Sequence, residues 1–304
     1  MLPEPDDIAK SISTRLRTLI AEEIQTRGPM PFQRYMELAL YAPGLGYYAA
    51  GAQKFGAAGD FVTAPELGSV WAHVLAETIA ASLRSYREPV LMELGAGSGA
   101  LAVDLLRALA ARDALPDRYW ILERSADLRE RQHQHISTAL PHLIDRVVWL
   151  DQPPQQPFEG AIVGNEVLDA LACARFVVTD CGVREIAVEV RDGGFVEVNI
   201  PPSARLTVAL AHLQSQLETP LPMGYRSEVV PELSEWFGAI SAPLQRGLIL
   251  LSDYGYGRPE YYLPTRRDGT LICHYRHRAH NDPYWFPGLN DISASVNFTA
   301  LAEA

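Results

Sequence analysis

Apolar residues at Ile8, Ile12, Leu16, Leu19, Ile20 and Ile24 recur every three or four positions. That spacing predicts an amphipathic helix over 8–27, stopped by Gly28-Pro29. Tyr35, Met36, Ala39 and Leu40 share one face of a second, short helix at about 32–40. SVWAHVLAETIAASL, residues 69–83, reads as a third, with Val70, Val74, Ile79 and Leu83 as apolar positions. From residue 89 short apolar runs alternate with helical spacing. Strands fall at 90–94, 119–123, 146–150 and 160–166, and helices at 100–111 and 126–138. This alternation predicts a parallel sheet with crossover helices.

The period then changes. RFVVTD and REIAVEVRDGGFVEVNI alternate apolar and polar residues about Asp192-Gly193-Gly194, which predicts an antiparallel hairpin. A helix carrying Leu206, Leu210 and Leu213 follows. GLILLSDYG, 247–255, resumes the parallel pattern as a fifth strand, the stretch after it reads as irregular, and VNFTALAEA begins a helix. The expected organisation is an N-terminal helical region with a lid over 1–88, a Rossmann-like α/β core over 89–170, an α+β insertion over 171–246 between strands four and five, and a return to the core over 247–304. The lid is residues 41–68, rich in Gly, Ala and Tyr and without a period. Long irregular stretches in compact proteins are commonly functional, and the aromatics here argue against disorder.

Charge narrows the functions. The formal net charge is −11, a field that repels phosphate backbones and makes nucleic acid a poor partner. It tolerates a basic one. No apolar run reaches the ~18 residues of a membrane helix. The acidic N-terminus has neither the apolar core of a secretory signal nor the arginines of a transit peptide. Cys173, Cys181 and Cys273 show no C-x-x-C spacing, which favours a reducing, cytoplasmic setting over a structural zinc site.

The chemistry gathers at PVLMELGAGSGAL, residues 89–101. A strand ends in Glu93, then Gly95, Gly97 and Gly99 precede a helix. Glycines here let a ligand approach the main chain beside helix N–H groups that lack internal partners. The spacing E-x-G-x-G-x-G differs from the dinucleotide fingerprint G-x-G-x-x-G. Glu123 ends the next strand, where an acid can accept both ribose hydroxyls of a nucleoside. Asp151 ends the third strand. It either bonds an adenine amino group or only starts the proline loop QPPQQP. Asn165, Glu166 and Asp169 follow strand four, which should lie beside strand one. Two carboxylates suit the fork of a guanidinium, and equally they suit the start of a helix. His274, His277 and His280 lack a standard zinc spacing. Ser98 lacks the G-x-S-x-G context of a hydrolase nucleophile.

Six stretches, in order, resemble the MidA-like family of S-adenosylmethionine-dependent methyltransferases: GDFVTAPELG, ELGAGSGALA, YWILERSADLRERQ, GNEVLDALACARF, LSDYGYG with EYYLPTRRDGTLICHYRH, and PGLNDISASVNF. The resemblance implies a class I methyltransferase sheet and S-adenosyl-L-methionine (SAM) as cofactor. It implies a cofactor pocket from Glu93, Gly95, Gly97, Gly99, Glu123 and Asp151, closed by a lid at Asp60, Thr63 and Pro65. It also implies an acidic acceptor pocket with Asn165, Glu166, Asp169, Glu228 and Asp253 as catalytic residues. The mitochondrial relatives imply an arginine-bearing protein substrate, and a homodimer is compatible with this reading. The family places two more strands after the final helix of this sequence, so the expected sheet lacks them. The alternative is a non-catalytic assembly factor with a vestigial pocket.

Overall fold

The computed structural model describes residues 2–49 and 64–304. In chain order the helices are α1 (Asp7–Arg27), α2 (Phe32–Tyr41), α3 (Val70–Leu83), α4 (Ala100–Ala110), α5 (Ala126–Ala139), α6 (Ala204–Gln216), α7 (Leu233–Ser241), α8 (Arg258–Tyr261) and α9 (Phe298–Glu303). The strands are β1 (Met30–Pro31), β2 (Val90–Leu94), β3 (Arg118–Leu122), β4 (Val147–Leu150), β5 (Phe158–Asn165), β6 (Ala174–Thr179), β7 (Gly182–Arg191), β8 (Gly194–Ile200), β9 (Arg226–Val229), β10 (Leu244–Ser252), β11 (Gly255–Tyr256), β12 (Ile272–Tyr275), β13 (Arg278–His280), β14 (Asp291–Ser293) and β15 (Val296–Asn297).

The chain packs as two compact units. One comprises residues 51–167 and 235–253, of which 51–63 lie outside the described residues. Its sheet has the order β10-β5-β2-β3-β4, parallel throughout. Each parallel step from β2 to β4 is bridged by a helix, as the alternating pattern requires. Leu91, Ile121, Ala161 and Val163 pack with Ala76, Ile79 and Leu83 of α3 and Leu101, Leu105 and Leu106 of α4. Met92, Leu94 and Ile162 pack with Trp236, Phe237 and Ile240. Burying such side chains contributes roughly 1.5–3 kcal/mol each. The apolar face expected on α3 is displaced. Val70 and Val74 are 77% and 58% exposed, whereas Ala72, Ala76 and Ala80 are buried. Small alanines let α3 lie close to α4, and the valines flank that contact.

The other unit comprises residues 1–50, 168–234 and 254–304, of which Met1 and Ala50 lie outside the described residues. β7 pairs with β6 and β8, β6 pairs with β9, and Met30–Pro31 add to β7 through Met30↔Val188 and Pro31↔Ala187. The segments expected as N-terminal helices and as part of the return to the core therefore pack with the insertion. The expected hairpin closes at Arg191↔Gly194, with Asp192 and Gly193 at φ +51° and +75°. Both central residues are left-handed, the requirement of a type I′ turn. The stretch after residue 255, read as irregular, carries α8 and β12 to β14; β11 begins at the last residue of the expected fifth strand, and β15 takes Val296–Asn297 from the start of the expected final helix. Strands of two to four residues are too short to print a period. In α1, Asp6 caps the first turn through Ala9 N–H (2.8 Å). Leu16, Ile20 and Ile24 are buried while Ile8 is 76% exposed.

Candidate active site

Glu93, Gly95, Gly97 and Gly99 follow one another at the carboxyl end of β2. The glycines have φ of +59°, +54° and +82°, a region that L side chains rarely enter. Gly95 N–H donates to Leu122 O (3.0 Å), and Gly99 N–H to Ala96 O (2.7 Å). Glu93 is buried beside Tyr119 of the neighbouring strand. It is 2% exposed and accepts the Tyr119 hydroxyl at 2.6 Å. Burial pushes its carboxyl up to about 7, opposed by Tyr119 and aided by the charge of Glu123.

Glu123 lies one residue past β3 and is 8% exposed. Oε1 accepts Ser125 N–H at 2.9 Å, and Oε2 accepts the Gln132 amide at 3.2 Å. Burial raises this carboxyl too, and those donors oppose the rise. Gln132 Nε2 also reaches Gly97 O (3.0 Å), and His135 Nδ1 reaches Ser98 O (2.9 Å). Helix α5 thus holds two successive carbonyls of the glycine turn. Ser98 Oγ donates to Glu66 of the short 3₁₀ turn Ala64–Leu67, which contains the half-buried Pro65. Asp151 is exposed, just past β4. Asp60, Thr63 and the middle of the expected lid lie outside the described residues.

The acids after strand four fall in two places. Asn165 pairs with Ser252 across β5 and β10, so Glu166 and Asp253 extend adjacent strand ends. Glu166 has φ +51° and donates its N–H to Ser252 O (2.8 Å). This is why β5 stops at Asn165, one residue before the expected end. Asn165 Nδ2 lies 3.4 Å from Glu166 Oε1. Gly164 is the register partner of Leu94, so this acidic edge adjoins the strand that carries the glycine turn. Non-glycine residues at positive φ cluster at functional sites.

Asp169 and Glu228 belong to the other unit. Asp169 is 6% exposed, and its Oδ2 accepts the Tyr254 hydroxyl at 2.6 Å. Glu228 is 1% exposed. Its Oε1 accepts Thr270 N–H (2.6 Å), Thr270 Oγ1 (2.5 Å) and Tyr261 OH (3.1 Å), and burial raises its carboxyl. Glu228 is therefore a buried node that gathers three donors. His274 and His280 sit on β12 and β13, whose turn is Arg276-His277. Gln132, His135, Glu66, Tyr119 and Tyr254 are hydrogen-bond partners to which the sequence alone assigns no role. The signal for Gln132 was its place in an i, i+4 stripe between Leu128 and Ile136.

A parallel sheet of this order, with a glycine turn after its central strand and an acid after the next, is the nucleoside half of a class I SAM-dependent methyltransferase. The donor set fits that cofactor. A buried carboxylate with spare lone pairs suits a ribose diol, and the positive-φ glycines open the main chain to the nucleoside. A family model of S-adenosyl-L-methionine-dependent methyltransferases matches residues 72–304. The structure is similar to that of a Burkholderia thailandensis protein bound to S-adenosyl-homocysteine, with a TM-score of 0.92 and 42% identity over all of this chain and 78% of that one. The sequence is 27% identical to a mitochondrial protein arginine methyltransferase NDUFAF7 homolog of Drosophila melanogaster, over 97% of this chain and 71% of the relative. It is 26% identical to the NDUFAF7 of Danio rerio, over 97% and 73%. The chain belongs to the MidA-like family of SAM-dependent methyltransferases. Among the described residues no helix is long and apolar enough to cross a membrane.

Proposed function

We propose that the chain transfers the methyl group of SAM to a guanidinium nitrogen of a protein arginine. The observation that carries this is the acidic edge Asn165-Glu166 and Asp253, at adjacent strand ends beside the strand of the glycine turn. Ligands of open α/β sheets sit outside such strand ends. The names of the curated relatives, protein arginine methyltransferases, support the acceptor.

SAM, when bound, supplies an electrophilic methyl group. The chain's contribution is positioning and electrostatics. Glu123 accepts the ribose hydroxyls, and the main chain at Gly95, Gly97 and Gly99 lines the nucleoside. Glu166 and Asp253 accept guanidinium N–H groups and orient one nitrogen for in-line attack. Arginine is protonated in water, so a carboxylate takes its proton only as the new bond forms. Three free cysteines, Cys181 exposed and Cys173 and Cys273 buried, support a reducing compartment such as the cytoplasm.

The test is tritiated-SAM labelling of a cell lysate, with acid hydrolysis of the labelled protein bands. Label recovered as methylarginine is expected. Label on another side chain or on small molecules alone overturns the arginine reading. Absence of label with intact S-adenosylhomocysteine (SAH) binding points to a scaffold.

A further inference from the structure

Among the buried polar groups near the glycine turn, Gln132 is placed unlike the others. It is fully buried on a helix whose polar residues otherwise face outward. Its Nε2 lies 3.0 Å from Gly97 O and 3.2 Å from Glu123 Oε2, and its Oε1 lies 3.0 Å from Trp149 Nε1. An amide has two N–H donors and one carbonyl acceptor, so every group of this side chain is engaged.

The orientation is decided by chemistry. An indole N–H donates and never accepts. The oxygen of Gln132 must therefore face Trp149, and its NH2 must face Gly97 and Glu123. The flipped amide would set N–H against N–H at Trp149 and oxygen against oxygen at Glu123, all out of water. Trp149 of β4 thus selects the rotamer, and the rotamer supplies both donors.

We propose that Gln132, oriented by Trp149, is a positioning residue for SAM: it fixes the Glu123 carboxylate and the Gly97 carbonyl as one unit, so that the ribose acceptor and the glycine turn cannot move apart. This rests on the assignment of Glu123 to the ribose. Gln132 itself touches no cofactor atom in this account. It acts by taking one lone pair of Glu123 Oε2, while Ser125 N–H takes one of Oε1. The carboxylate plane is then set, and the remaining lone pairs serve the ribose hydroxyls.

A second consequence is electrostatic. Glu123 sits under the charges of Glu93 and Arg129 and receives the N–H groups of Arg124 and Ser125. Gln132 is a further donor that favours its ionised form. Without that donor the carboxyl protonates at a higher pH, and binding that needs the carboxylate fails earlier on acidification.

The experiment compares wild type, Gln132→Met, Trp149→Phe and Glu123→Ala. Calorimetry gives SAH affinity from pH 6 to 9, kinetics give kcat and KM for SAM, and melting of the ligand-free protein monitors the fold. Gln132→Met is expected to weaken SAH binding by ~10-fold or more, to raise KM more than it lowers kcat, and to move the acid limb of binding to higher pH. Trp149→Phe should act in the same direction and by less. A merely structural role lowers melting temperature without moving the acid limb. Wild-type affinity and pH profile in Gln132→Met, beside lost binding in Glu123→Ala, overturn the proposal. Wild-type affinity in Glu123→Ala overturns the ribose assignment and the proposal with it. If Gln132→Met does not fold, Trp149→Phe decides by the same two readouts.

Discussion

The hydroxyl of Tyr119 donates to Oε2 of Glu93 at 2.6 Å, from one parallel strand to the next. Tyr119 is wholly buried and Glu93 nearly so. A carboxyl taken out of water with one donor stays protonated more readily than one in solution, and burial lifts Glu93 to about 7. Below about pH 4.5 the group is neutral in both folded and unfolded chains. Between that value and about 7 the unfolded chain has released the proton and the folded chain still holds it. Folding therefore weakens as pH rises through this window, and the loss is complete above it. At ~1.4 kcal/mol per unit the cost approaches ~3 kcal/mol. Glu93→Gln keeps an acceptor for Tyr119 and removes the titration. Urea unfolding should show the variant gaining on wild type by up to ~3 kcal/mol between pH 4.5 and 8. A gap that does not change with pH contradicts the assignment.

Glu123→Ala removes the acceptor proposed for the ribose. Hydrogen bonds to a charged group contribute ~1.5–3 kcal/mol, so SAH affinity should fall by ~10- to 150-fold. Isothermal titration measures it directly. NAD should not bind, because the spacing of the glycine turn differs from the dinucleotide fingerprint.

The carboxylates near the acceptor separate chemistry from architecture. Glu166→Gln should leave SAH affinity and melting temperature close to wild type. It should lower single-turnover methyl transfer by ~30-fold or more, since ~1.4 kcal/mol is tenfold in rate and a broken buried charge pair costs ~2–5 kcal/mol. Asp253→Asn, at the adjacent strand end, should act in the same direction. A small drop in melting temperature with turnover intact would instead mark both as structural strand-end carboxylates.

Gly269 has φ +77°, and a Cβ built there lies 2.2 Å from Glu228 Oε2. The neighbour is a buried carboxylate already held by Thr270 and Tyr261, so it has little room to retreat. Gly269→Ala should destabilise the fold by ~2 kcal/mol or more, combining backbone strain with displacement of a buried acid. Chemical denaturation provides the measurement, and a change under ~0.5 kcal/mol would refute the contact.

The parallel sheet was legible because its strands are separated by helices whose apolar positions repeat cleanly, as at Leu101, Leu105, Leu106 and Leu109. The hairpin at Asp192-Gly193 was legible because two left-handed residues in a row demand Gly or Asn/Asp chemistry. Glu166 was legible as a candidate by its position after a strand and by the resemblance of GNEVLDALACARF. Its positive φ has no signature in the sequence. Gln132 was given no role from sequence, since a glutamine on a largely polar helix does not declare which way it faces. Leu128, Gln132 and Ile136 together carried the hint, a polar residue standing in an apolar stripe. The short strands from 255 to 297 escaped because pairing partners set them, not local pattern. Tyr254 and Tyr119 escaped for a similar reason: a hydroxyl's partner is a tertiary fact.

Strand β1, two residues long, joins β7 some 150 residues later in the chain. The unit it completes also draws on residues 168–234 and 254–304. On a ribosome, β2 to β5 emerge as one uninterrupted stretch and can pair as they appear. The N-terminal helices emerge earlier than that sheet, yet their partner strand does not exist until about residue 190 has left the exit tunnel. For that interval α1, α2 and β1 have one another but not β7, the strand that pairs with Met30–Pro31 in the folded unit. A nascent chain with an apolar face waiting so long for closure is a natural client for holdase chaperones, and slowing translation should lengthen the wait.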